Sequence, residues 1–276
     1  MREERLKALL KILGALFLLF FCLIPFLWMI VVSFTGNPDF LLPDASFAFI
    51  WDNYKIVLSS ESVHLLDYLR NSVVISAISA VFATLFASFS AYAITRISFP
   101  GRIIIPLFML AFSMFPQVSI VGYLFKMMTS FGLINTWSGL ILPYITMGLP
   151  LALWIMLSYF SQLSPELDKA ALVDGASRLQ IFRKVIMPLA LPGTFSTMLL
   201  IFIYSFNEFL FALMLTIDYK ARTIPVGIAL FEGLHGQIPW GQIMAGAVVA
   251  TIPMIVLAIF FQRHIIQGLT QGALKG

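Results

Sequence analysis

The sequence predicts an all-α integral membrane protein with six transmembrane helices, and three observations carry that reading. Hydrophobic residues make up 60% of the 276 and charged residues only 11%, against roughly 45–50% and about 25% in a soluble domain. The charges are clustered, leaving the stretches 12–38, 71–95, 103–125, 127–165, 185–207 and 233–262 with none, and about 20 apolar residues suffice to cross a bilayer as helix. Backbone groups in lipid must be paired within their own segment, which excludes open strands. A single soluble domain is ruled out.

The six spans are expected at 10–34, 71–95, 103–125, 140–159, 193–215 and 243–262. The first follows Arg2, Arg5 and Lys7, with Lys11 at its start. Its apolar run is longer than the 7–15 residues of a signal-peptide core, and no small-residue cleavage pattern precedes Asn37-Pro38, so it reads as a retained span. The connection 35–70 carries Asp39, Asp44, Asp52, Glu61 and Asp67, with Pro38 and Pro43 as breakers, and reads as a small capping loop. Together these give a first region, 1–70, ahead of a core, 71–276.

The second span repeats small residues every fourth position, with Ser79, Ala83, Ala87 and Ala91 on one stripe and Ser72, Ser76, Ala80, Thr84 and Ser88 on the next. Such stripes let helix backbones approach closely in lipid. Pro106 and Pro116 in the third span, Pro143 and Pro150 in the fourth, Pro253 in the sixth and Pro25 in the first read as structural kinks,. The fifth span holds the one carboxylate placed within the bilayer, Glu208, next to Asn207. At about 1.5 Å per residue it lies about 22 Å along the span from Gly193. Intramembrane ionisable groups are functional candidates, so Asn207 and Glu208 are taken as possible pathway or gate residues.

Lys and Arg set the orientation, because cytoplasmic loops hold the excess. With the N-terminus inside, twelve of the 17 fall inside: Arg2, Arg5, Lys7, Lys11, Arg96, Arg102, Lys169, Arg178, Arg183, Lys184, Arg263 and Lys275. Lys55, Arg70, Lys126, Lys220 and Arg222 fall outside. Both termini are therefore expected in the cytoplasm, and the connection 218–242, with Gly233, Gly236 and Pro239, outside.

The cytoplasmic connection 160–192 is the most polar internal stretch. Ser164 suits an N-cap and Pro165 a first helical position, while Glu166 and Asp168 complement the dipole of a first short helix. Asp174-Gly175 stops it. Ser177 and Gln180 have the spacing of a capping box for a second helix, on which Leu179, Phe182 and Ile186 are expected to share one face. Pro188 and Pro192 are expected to end that helix and lead the chain back into the membrane. A pair of amphipathic helices between two spans suits either the lipid surface or a groove on a partner.

The residues resemble the loop that marks permease subunits of ABC importers, where a Glu-Ala-Ala triplet is followed three residues later by Asp-Gly-Ala. Here the triplet is Lys169-Ala170-Ala171, and Asp174-Gly175-Ala176 follows at that spacing; Phe182, Pro188 and Pro192 match the downstream pattern. Lys169 reverses the charge of the usual glutamate, which leaves Asp168 or Glu166 to supply an acid there. Phe99-Pro-Gly-Arg102, Gly132-Leu-Ile-Asn-Thr136, Asn207-Glu208-Phe209, Thr223-Ile-Pro-Val-Gly227 and the C-terminal run from Gln262 extend the likeness to the carbohydrate-uptake branch, the maltose-type second permease subunit in particular. The resemblance implies an alternating-access pathway half, with the loop coupling to a separate ATPase through Glu166, Asp168, Lys169, Ala170, Ala171, Asp174, Gly175, Ala176, Ser177, Leu179 and Phe182. It also implies two copies of that ATPase, a second permease subunit, an extracytoplasmic solute-binding protein facing 218–242, a sugar substrate and residence in a prokaryotic cytoplasmic membrane. The C-terminal tail from Gln267 would be called frayed on composition, whereas the resemblance has it reach the ATPase.

The chemistry left out agrees. No Gly-x-x-x-x-Gly-Lys-Ser/Thr phosphate loop is present, so ATP and Mg belong to a partner and no cofactor is expected on this chain,. Cys22 alone makes no disulfide or Cys-based metal site. His64, His235 and His264 have no metal spacing, and Trp28, Trp51, Trp137, Trp154 and Trp240 suit interfacial anchoring,. The net charge of +4 is too small and too dispersed for nucleic acid,. A secondary transporter would need ion-coupling carboxylates in its spans, and Glu208 stands alone without an internal repeat.

Overall fold

The computed structural model describes residues 2–36, 49–59, 63–231 and 238–273. Pro38, Asp39, Pro43, Asp44, Glu61, Gly233, His235, Gly236 and Lys275 lie outside the described residues, and of 262–273, including Arg263 and His264, only the backbone is described. In chain order the helices are α1 (Arg2–Ser33), α2 (Asp52–Ser59), α3 (Leu65–Arg96), α4 (Ile104–Ser113), α5 (Gln117–Ser130), α6 (Trp137–Gln162), α7 (Glu166–Val173), α8 (Arg178–Ile181), a π-helical turn (Phe182–Ile186), α9 (Met187–Phe206), α10 (Leu210–Leu215), α11 (Ile224–Ala229) and α12 (Trp240–Ala273). Among the described residues there is no strand, only one isolated bridge between Thr35 and Phe49. Five helices are long and apolar enough to cross a membrane, or six where the bent pair α4 and α5 counts as one span.

The chain forms two compact units, Met1–Leu66 with Gly227–Ile252, and Asp67–Val226 with Pro253–Gly276. In the first, α1 leaves nearly all its apolar side chains exposed, a surface suited to lipid. Its end is tied to α2 by Asn53, whose Nδ2 donates to Ser33 O and Thr35 O at 2.9 Å. Gly241 permits this close approach, because a Cβ there would collide with Asn53 and the Thr35 carbonyl.

In the second unit the small residues of α3 do what their spacing predicts. Ser72, Ser76, Ser79, Ala80, Ala83, Thr84, Ala87, Ser88 and Ala91 are all buried. The four alanines share a core with Ala152, Leu153, Met156 and Phe160 of α6, Ile201 and Phe202 of α9, Ile181 of α8, and Phe182 and Ile186 of the π-helical turn. Gly148 brings α6 against Ile201, and Gly193 brings α9 onto the ring of Tyr159. A second core joins Ile75, Met128, Leu140, Tyr144, Phe211 and Leu215.

Several expectations are corrected. The third span, expected as one helix over 103–125, is two helices bent by 94°. Met114 N–H turns back to Ala111 O and Phe115 N–H to Phe112 O, ending α4, and Pro116 is held extended at φ −68°, ψ 124° before α5. Pro188 and Pro192 do not end the helix of the polar loop, which runs without interruption as Arg178–Phe206. The π-helical turn at Phe182–Ile186 widens the ladder just where Pro188 offers no N–H,. The fifth span, expected to continue to 215, breaks at 207–209 before α10. Leu179 does not share the face of Phe182 and Ile186: it is 56% exposed, because Ile181 turns the buried face away from it. Over 267–273 the backbone of the tail continues α12 as helix.

Candidate functional site

The polar loop is built by local rules. Ser164 Oγ accepts from Glu166 N–H at 3.3 Å, one place earlier than the cap position itself, which is Pro165. The helix α7 ends at Asp174, and Gly175 follows at φ +83°, a left-handed conformation that glycine adopts freely,. At α8 the capping box is complete: Ser177 Oγ accepts from Gln180 N–H, and Gln180 Oε1 accepts from Ser177 N–H at 2.7 Å,.

The expected loop residues divide sharply. Glu166, Lys169, Ala170, Asp174, Gly175, Ser177 and Leu179 are exposed, Ala171 and Ala176 half-buried, and Asp168 and Phe182 buried. Lys169 donates to Glu166 Oε1 at 2.8 Å. That hydrogen bond and charge raise the Lys169 amine above its ordinary value. The charge reversal at the motif position is thus answered within α7 itself. Val173, 87% exposed at the corner, is the most prominent apolar side chain of the loop.

Asp168 points the other way. Its Oδ2 lies 3.2 Å from Arg96 Nε, with both side chains about 95% buried, and its Oδ1 accepts from Tyr92 OH at 3.2 Å. Arg96 also donates to Phe160 O at 3.2 Å and Leu163 O at 2.7 Å. One guanidinium at the end of α3 therefore holds the end of α6 and the start of α7. Glu166 is the acid of α7 that faces outward. Arg96 and Tyr92 were not singled out in the sequence. Nothing in the sequence sets Asp168 apart from Glu166, since only the packing of α3 against α7 brings Arg96 to one of them.

At the break in the fifth span, Asn207 and Glu208 part company. Glu208 is buried, and Tyr144 OH donates to its Oε2 at 2.8 Å. Phe211 N–H donates to Oε1 at 2.8 Å and Ala212 N–H to Oε2 at 3.1 Å, so the carboxylate caps α10. Asn207 is exposed, with Nδ2 donating to Ile203 O at 2.8 Å. The break in the third span meets this one, since Gln117 Nε2 donates to Tyr204 OH at 2.8 Å. Beyond α10, Asn135 at φ +60° accepts from Ile217 and Asp218 N–H and donates to Asp218 Oδ1. The Asn135 amide, followed by the Lys220 N–H, lowers the Asp218 carboxyl below its ordinary value.

Residues 72–271 match the family of binding-protein-dependent transport system inner membrane components. Over its full length the chain is 52% identical to the trehalose/maltose transport system permease protein MalG of Thermococcus litoralis, with both chains wholly covered. It is 41% identical to the trehalose transport system permease protein SugB of Mycobacterium tuberculosis, over 93% of each chain. The fold is shared with a chain of a bacterial ABC transporter involved in import of the acidic polysaccharide alginate: TM-score 0.77 at 20% identity, covering 95% of this chain and 98% of that one.

A chain with several membrane-length apolar helices whose relatives are transport permeases is itself a transport permease subunit, and it belongs to the family of binding-protein-dependent transport system inner membrane components. Its place is the inner membrane, as a transport component of an ABC importer.

Proposed function

We propose that this chain is one of two permease subunits of an ATP-driven importer of glucose disaccharides of the trehalose and maltose kind, forming half of an alternating-access pathway. Both termini and the loop 160–192 lie in the cytoplasm, and 71–276 forms the permease core. The loop docks on a partner ATPase, two copies of which carry ATP and Mg, while 218–242 faces a solute-binding protein outside. The observation that carries the reading is the corner of α7 and α8. It presents Val173, Leu179 and the Glu166–Lys169 pair outward at the position of the family's loop, as an apolar anchor with a polar rim suits a protein groove. Its rigid seat on Arg96 lets movement of the ATPase reach the spans as a whole.

Purification from the native membrane in mild detergent should bring down a stoichiometric ATPase and a second permease. Reconstituted with the solute-binding protein, the complex should take up labelled trehalose and maltose only with ATP. A chain that emerges alone and transports into liposomes without ATP would overturn the proposal.

A further inference from the structure

Two membrane-crossing segments of the second unit are broken, and their breaks meet. The third span is interrupted at Met114 to Pro116 and the fifth at Asn207 to Phe209. Gln117, the first residue after one break, donates through Nε2 to the hydroxyl of Tyr204, three residues before the other. Irregular backbone at membrane depth is tolerated only where it is buried in protein or lines a watery cavity. Here it is not wholly buried: Met114, Phe115, Pro116 and Asn207 are exposed and Gln117 and Tyr204 half-exposed. The Asn207 amide spends one donor on Ile203 O, and facing lipid its remaining donor and acceptor would go unpaired at a cost that water or a polar ligand removes.

The chemistry of the groups narrows what passes. Gln117, Tyr204 and Asn207 are all neutral, and each can both donate and accept. The one carboxylate beside the junction, Glu208, is buried, and its oxygens accept from Tyr144, Phe211 and Ala212. Neutral groups that both donate and accept complement the hydroxyls of a sugar and offer no countercharge to an ion. Glu208 is thereby a positioning residue: by capping α10 it fixes the break that exposes Asn207.

We infer that the junction of the two broken spans is a sugar-contacting station of the pathway, in which Gln117, Tyr204 and Asn207 bind hydroxyls of the passing disaccharide. This rests on the importer reading above and adds the residues on this chain that touch the sugar.

The test uses the whole complex in proteoliposomes, with ATP and saturating solute-binding protein, and compares trehalose with maltose. Gln117→Leu, Tyr204→Phe and Asn207→Ala should each lower uptake about three- to tenfold, the loss expected for one neutral hydrogen bond. They should also change the ratio of the two sugars, which a general loss of folded protein would leave unchanged. Three variants with the wild-type rate and ratio would overturn the inference. Because Cys22 is the only cysteine, Asn207→Cys in a Cys22→Ala background gives a second readout that survives poor transport. A small hydrophilic thiol reagent should modify it, and trehalose should slow that modification during turnover. A thiol that never reacts, or reacts at a rate indifferent to both sugars, overturns the station. Loss of ATP-dependent uptake in the wild-type complex would instead count against the importer reading.

Discussion

Glu208 shows how little the presence of an intramembrane charge says until its partners are known. The carboxylate accepts two backbone N–H bonds and one phenol, which turns a costly buried ion into a helix cap,. Glu208→Ala should therefore leave the Tyr144 hydroxyl and the N–H groups of Phe211 and Ala212 without an acceptor, at about 1–3 kcal/mol for each buried group left unpaired. The expected outcome is a lower Tm of the purified complex and a lower yield. Glu208→Gln keeps one acceptor oxygen, enough for Phe211 N–H or for Ala212 N–H but not for both,, so it should lower Tm less than Glu208→Ala and retain uptake at normal expression. If Glu208→Gln abolished uptake while Tm and yield held, the negative charge itself would be at work and the capping account would be wrong.

At the scale of elements, the seat of α7 decides how the polar loop behaves. Removing one partner of a buried pair leaves an uncompensated charge and costs about 3–5 kcal/mol. Arg96→Gln should cost more than Asp168→Asn, because Arg96 alone also serves Phe160 O and Leu163 O. Thermal unfolding of the two variants in the same detergent checks the order; equal or negligible losses would mean that α7 is held by packing alone.

The same elements show what a sequence yields. The six apolar stretches, the buried stripes of α3 and the capping box of Ser177 with Gln180 were all legible, because each follows from spacing within one segment. The breaks were not. Pro116 sits at a break while Pro143, Pro150 and Pro253 lie inside continuous helices, and nothing adjacent in sequence separates them. Asp168 and Glu166 likewise read alike until the fold brings Arg96 to one of them, and the meeting of Gln117 with Tyr204 depends on which spans pack together.

For the whole molecule the open physical quantity is orientation, which rests on twelve basic residues against five,. The structure supplies two exposed positions on opposite predicted sides: Val173 at the corner of the polar loop and Ile217 after α10, 87% and 67% exposed. With Cys22 replaced by Ala, Val173→Cys should react with a membrane-impermeant maleimide only in inside-out vesicles, and Ile217→Cys only in right-side-out vesicles. The proposed docking of an ATPase on this loop adds a second requirement, since a side chain seated in a groove is shielded from reagent. Labelling of Val173→Cys should fall at least tenfold in the assembled complex and return when the ATPase is stripped, whereas Ile217→Cys should not change. Reaction of Val173→Cys from the outside would reverse the topology, and reaction from the inside without shielding would place the ATPase elsewhere on the chain.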